Sequence, residues 1–201
     1  MDQTEKQEGL WRVFCAVELP GSVRTLAAEH IARLRRAVPE AKASWVRADN
    51  LHVTLKFLGE MEPERALTAL SGAAARAADK VTPFELKLEG TGSFPSRGVP
   101  RVLWLGIRDR SDSLALVQQR LEDECASENF ARESRPFNPH LTIARLRTPV
   151  RARELASIHQ ETQFETEVFG VTELFVFRSE LGPGGSRYTA LARHRLGGTG
   201  T

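Results

Sequence analysis

The sequence predicts an α+β fold: two antiparallel sheets facing each other across a central cleft, helices on the outside, and a duplicated bilobal unit with pseudo-two-fold symmetry. Three observations carry that expectation. Stretches with strand-like and helix-like hydrophobic spacing are mixed along the 201 residues. Several strand pairs are joined by turns shorter than the roughly dozen residues a parallel crossover needs. The segments 52–59 (HVTLKFLG) and 140–147 (HLTIARLR) align without a gap, each in a strand near a long helix.

The elements follow in order. Leu10–Leu19 (LWRVFCAVEL) reads as a buried strand that Pro20-Gly21 terminates. Ser22–Val38 has helical spacing at Val23, Leu26, Ala27, Ile31 and Leu34, and Pro39 stops it. Ser44–Val46 and Leu51–Leu58 are short strands about the polar turn Arg47–Asn50. Pro63–Lys80 is alanine-rich and helical, with Pro63 suited to a first helical turn. A second set then begins: strands at Phe84–Phe94 and Arg101–Ile107, and a long helix from Ser111 to Phe130. A strand at His140–Leu146, a helix at Arg151–Gln160, and closing strands at Phe164–Arg178 and Tyr188–Arg195 complete the chain. The Gly- and Pro-rich segments Ser93–Pro100 and Gly182–Ser186 are expected to be turns or mobile flaps. Residues 1–9 and 197–201 are expected to be flexible ends, leaving 10–196 as one bilobal domain.

Composition narrows the function classes. A hydrophobic content of 41% and a charged content of 27% fit a soluble globular protein. No apolar run approaches a membrane span, and the N-terminal MDQTEKQEGL lacks the basic-then-apolar order of a secretory signal, so a cytoplasmic location is expected. Of the 28 basic residues 23 are arginine, whose planar fork suits phosphate; biased composition accounts for that preference equally well. Cys15 and Cys125 lie in apolar segments without a CxxC partner and read as small buried hydrophobes. GPGGS (182–186) lacks the Lys-Ser/Thr ending of a P-loop, so ATP hydrolysis is not indicated.

The chemistry lies in the two H-x-T motifs, His52-Val53-Thr54 and His140-Leu141-Thr142. Strand alternation puts His and Thr on one face and the apolar Val53, Leu55, Leu141 and Ile143 on the other. Opening a cyclic phosphodiester needs water to enter at one apex of phosphorus and a ribose oxygen to leave at the other, with a proton transfer on each side. Imidazole, with an unperturbed pKa of roughly 6.5, suits both transfers. Threonine hydroxyls can donate to the phosphate oxygens as charge builds there. Two rival readings stand beside this one: packed strand histidines, and a metal site. Against the metal, neither His has a carboxylate or Cys at i+2 or i+4, and Thr is a poor zinc ligand. Spacing alone does not tell acid from base.

From LWRVFCAVELP through SWVRADNLHVTLKFLGE, PRVLWLGI and RPFNPHLTIARL to the closing strands, the chain resembles the two-histidine phosphoesterase superfamily. Within it the chain is most similar to the RNA 2',3'-cyclic phosphodiesterase branch, historically called 2'-5' RNA ligase. The RPF-x-PH-x-T-x-AR stretch is the most specific part. The resemblance implies a monomer that hydrolyses 2',3'-cyclic phosphate on RNA ends or cyclic nucleotides to a 2'-phosphate, without metal or cofactor. It implies that His52 is the general acid and His140 the general base, that Thr54 and Thr142 hold the phosphate, that Arg145 clamps it, and that Phe57 stacks on the nucleobase. Ligation, a 2'-5' linked or ADP-ribose cyclic phosphate substrate, and a binding module without turnover remain open.

Two of these assignments conflict with strand parity. Arg145 stands five residues after His140 and Phe57 five after His52, which on a regular strand puts both on the wrong face. If they serve the site, the strand must twist or bulge after the Thr, near Ala144–Arg145. Parity also aims Lys56 at the cleft, where it is expected to be solvated. Trp45 is expected to pack and to border the cleft, and Trp11 and Trp104 to pack. Arg135 is expected either to support the second motif strand or to reach substrate, and His30, His159 and His194 to have surface or packing roles. No acid follows either His at capping or dyad spacing, so the sequence does not name the groups that orient the imidazoles; backbone carbonyls are candidates.

Overall fold

The structure is a computed structural model and describes residues 9–182 and 185–197. The ends expected to be loose therefore lie outside the described residues, apart from Gly9 and Gly197, and so does the centre of the 182–186 turn.

Among the described residues, nine strands form two antiparallel sheets. Sheet A has the order β3 (His52–Met61), β1 (Trp11–Glu18), β8 (Glu173–Gly182), β9 (Gly185–Arg195). Sheet B has the order β2 (Ala43–Trp45), β6 (His140–Leu146), β5 (Val102–Asp109), β4 (Phe84–Phe94), β7 (Phe169–Val171). The duplication is visible in these orders: β3-β1-β8-β9 repeats as β6-β5-β4-β7, with β2 added beyond β6. Each sheet takes strands from the other half of the chain: β8 and β9 extend β1 in sheet A, and β2 edges β6 in sheet B.

The helices are exchanged in the same way. α1 (Gly21–Ala37) leaves sheet A and packs with α5 (Ala152–Glu161), which lies against β4 of sheet B. α4 (Ser113–Ser127) leaves sheet B and packs against β3 and α3 (Ser71–Asp79), and α3 covers β8 and β9. The helix expected over Pro63–Lys80 is interrupted: α2 (Pro63–Arg65) passes through a π-helical stretch, Ala66–Leu70, into α3.

β1 shows why its sequence is a near-continuous apolar run. Val13, Cys15 and Val17 point into the main core under the helices, while Phe14 and Ala16 face the cleft and pack with Phe175, Phe177 and Tyr188. A strand buried on both faces has no polar alternation to show. The strand expected over Phe164–Arg178 is a correction: β7 belongs to sheet B and β8 to sheet A, so the chain changes sheets at Thr172. Both pieces are apolar and β-rich, and a one-residue junction leaves no turn signal to read.

Candidate active site

β3 and β6 approach each other where the sheets meet, and each carries one H-x-T motif at its start. They border a cleft of about 700 Å³. Its lining includes all six residues singled out from the sequence: His52, Thr54, Phe57, His140, Thr142 and Arg145.

The two imidazoles are held alike. His52 Nδ1 lies 2.7 Å from the Asn50 carbonyl and His140 Nδ1 lies 2.8 Å from the Asn138 carbonyl, in each case the residue two before. A carbonyl only accepts, so each Nδ1 carries the hydrogen and each Nε2 is left as the working nitrogen. His52 Nε2 meets the Thr54 hydroxyl at 3.0 Å. The orienting groups, which the sequence did not name, are thus backbone carbonyls. The signal that was missed is Asn at the same place in both copies, Asn50-Leu51-His52 and Asn138-Pro139-His140. The Asn50 amide also donates to the Ser186 carbonyl at 2.6 Å, tying the first motif to β9.

The parity conflict is resolved by matching bulges. Across the β1–β3 ladder Ala16 pairs with Thr54 and Cys15 with Lys56, so Leu55 is an extra residue. Across β5–β6, Trp104 pairs with Thr142 and Leu103 with Ala144, so Ile143 is the extra one. A bulge puts two successive residues on the buried face. Leu55 and Lys56 are both buried, and so are Ile143 and Ala144. One residue later, Phe57 and Arg145 come round to the cleft. The distortion sits directly after the Thr, one residue earlier than Ala144–Arg145.

The same bulge overturns the expectation for Lys56. Rather than facing the cleft, it is 4% exposed, and its Nζ donates to Glu122 Oε2 at 2.6 Å and to the Ala131 carbonyl at 2.8 Å. Arg135 does not line the cleft; its guanidinium pairs with Glu133 at 2.8 Å and is exposed. Trp45 does border the cleft. His30 and His159 pack against each other, with His30 Nε2 and His159 Nδ1 2.9 Å apart, both fully buried. His159 Nε2 donates to the Trp104 carbonyl at 3.0 Å. His194 meets the Ser71 hydroxyl at 3.2 Å.

The surroundings of the two motifs differ. The His52 ring lies 4.8 Å from Phe14 and 5.2 Å from Tyr188, centroid to centroid, while His140 has Phe94 edge-on at 5.1 Å. Burial among these rings holds the His52 pKa below the usual imidazole value, opposed by the bond to the Asn50 carbonyl. The aromatic floor of Phe14 and Tyr188 was not foreseen, because nothing local in those segments marks a cleft-facing ring. Among the described residues, no aspartate or glutamate lines the cleft and no three His, Cys, Asp or Glu side chains form a metal-holding group. Nor is any described helix long and apolar enough to cross a membrane.

Residues 23–183 match the 2'-5' RNA ligase superfamily. A protein of Methanothermobacter thermautotrophicus named RNA 2',3'-cyclic phosphodiesterase is 33% identical over 188 residues, covering 92% of this chain and 98% of its own. One of the same name from Escherichia coli K12 is 34% identical, covering 92% and 96%. The crystal structure of E. coli LigT complexed with 3'-AMP is similar with a TM-score of 0.71 at 31% identity, covering 93% of this chain and 98% of that one.

Proposed function

The chain belongs to the 2'-5' RNA ligase superfamily, and from that premise we propose that it hydrolyses 2',3'-cyclic phosphates on RNA ends to 2'-phosphates without a metal. The observation that carries the reading is the pair of imidazoles in one cleft, each held by a backbone carbonyl at Nδ1 so that Nε2 is the nitrogen free for chemistry.

In this reading neutral His140 takes a proton from water through Nε2 as the water oxygen attacks phosphorus. The bond from phosphorus to the 3' oxygen breaks opposite, and protonated His52 gives its Nε2 hydrogen to that oxygen. The product keeps its phosphate on the 2' oxygen; His140 then sheds the proton it took, and His52 regains one with the next substrate. Thr54 and Thr142 donate hydroxyl hydrogens to the non-bridging oxygens, where charge builds. Arg145 clamps the same phosphate in the two-pronged manner of guanidinium. Phe57, half exposed and brought to the cleft by its bulge, stacks on the base. Nothing in this scheme calls for a metal, and the lack of a carboxylate in the lining is consistent with that.

The test is to incubate the purified protein with a nucleoside 2',3'-cyclic phosphate in excess chelator and identify the phosphate isomer formed. Formation of the 2' isomer is expected, with turnover falling by about a hundred- to ten-thousand-fold in His52→Ala or His140→Ala. Normal rates in His52→Ala would sink the mechanism. Activity lost in chelator and restored by zinc would sink its metal independence.

A further inference from the structure

The cleft carries more positive charge than one reacting phosphate needs. Arg12, Arg47, Arg145 and Arg147 all line it. Of the nineteen arginines elsewhere, six (Arg76, Arg108, Arg132, Arg135, Arg151 and Arg178) have a carboxylate oxygen within 4.0 Å. Among the described residues, none of the four cleft arginines has one. Unpaired arginines that share a concave surface attract anions, and they are desolvated at little cost only if an anion arrives.

Two of the four are already engaged. Arg12 lies over the Phe57 ring at 4.9 Å, and Arg145 serves the reacting phosphate in the reading above. Arg147 is the informative one, because its place is fixed. Its backbone N donates to the Lys42 carbonyl at 2.8 Å, carrying the β2–β6 ladder one step past Leu146. Its Nε donates to the Ser44 hydroxyl, and Ser44 is the ladder partner of Arg145. Arg147 therefore stands two residues beyond Arg145 on the same strand face, about 6.5 Å along the chain. That spacing is comparable to one nucleotide step along single-stranded RNA. With Nε engaged by Ser44, the two Nη groups remain for a bidentate contact with an oxyanion. Arg47 lines the cleft from the turn after β2.

We propose that Arg147, steadied by Ser44 and joined by Arg47, forms a second phosphate subsite that takes the phosphate on the 5' side of the terminal nucleotide. The cleft then selects the ends of oligonucleotide chains over free nucleoside cyclic phosphates. The assignment rests on the hydrolysis proposed above.

Its test compares kcat/KM on a nucleoside 2',3'-cyclic phosphate and on the same compound bearing a 5'-phosphate. Wild-type protein prefers the 5'-phosphorylated substrate by roughly ten- to 150-fold, the worth of one charge-assisted contact. The preference resides in KM and shrinks as salt is raised. Arg147→Ala loses at least five-fold more on the 5'-phosphorylated substrate than on the other, and Arg147→Lys keeps part of the preference. Equal losses on both substrates would overturn the subsite, and so would a wild-type protein that turns both over without discriminating. If wild-type protein turns over neither, the proposed hydrolysis itself fails.

Discussion

Replacing Lys56 by Met should destabilise the fold by about 3 kcal/mol, and the figure can be worked from the contacts. Lys56 and Glu122 are 4% and 8% exposed, with Nζ and Oε2 2.6 Å apart. Methionine keeps the length of the side chain and removes the charge. Glu122 is left with the Glu133 backbone N–H at 3.2 Å and the Gln118 amide at 3.4 Å, and the Ala131 carbonyl loses its donor. Breaking one partner out of a buried pair costs about 3–5 kcal/mol. The donors that Glu122 retains put this case at the low end. With a urea slope of about 2 kcal/mol per molar, the unfolding midpoint falls by about 1.5 M, out of a total stability of about 5–15 kcal/mol. Tryptophan fluorescence in a urea titration reads it, since the chain has three Trp. Lys56→Met/Glu122→Leu should recover roughly half, because an apolar pair replaces the ions while the Ala131 and Glu133 backbone groups stay unpaired. A midpoint shift below about 0.3 M in the single variant would show the pair to be solvated and refute the reasoning.

Two further outcomes follow from the histidines. Burial, with His159 and Arg33 nearby, pushes the His30 pKa down to about 4 from the ordinary 6.5. A depressed imidazole pKa means that the folded state prefers the neutral ring, so this stability is present above pH 6.5 and is lost as pH falls towards 4. Urea midpoints at pH 7 and pH 4.5 should differ clearly less in His30→Gln than in wild type; equal differences would remove the pair from the account of acid unfolding. For His52, an NMR titration of the imidazole should give a pKa below 6.5 in the free protein, in keeping with its burial, and a higher one in sulfate, an anion that does not titrate near neutrality. A free value above 6.5, or no response to sulfate, would contradict the environment described for it.

Much of this protein is legible from its sequence because it is written twice. The gapless match of HVTLKFLG to HLTIARLR exposes the duplication, both catalytic candidates and the pairing of two similar sheets. What local pattern cannot convey is where elements go after they form. Phe164–Arg178 reads as one strand because both halves are apolar, yet one half pairs with Phe84–Leu86 and the other with β1. The helices give no hint that α1 packs with α5, or that α4 packs against β3 of the sheet opposite the one it leaves. Parity is the instructive case. Applied strictly it misplaces Phe57, Lys56 and Arg145 together, because a single extra residue inverts everything after it. The resemblance placed Phe57 and Arg145 in the cleft, and that demanded a bulge. Nothing then carried the same inversion across to Lys56, which the bulge turns inward to Glu122.

The two motifs share a carbonyl, a bulge and a threonine, so the acid and base roles must come from what surrounds them. In the free protein the aromatic rings favour a neutral His52, which by itself would suit a base better than an acid. The assignment of His52 as acid then requires the substrate to reverse that preference. A unit negative charge at 4 Å favours an imidazolium by about 4 kcal/mol at an effective dielectric of 20. His52 is only partly buried, so the desolvation it opposes is that of a ring with one face still towards the cleft. In the proposed mechanism the proton on His52 is therefore acquired along with the phosphate, and the acid stays discharged until a substrate is there to receive its proton.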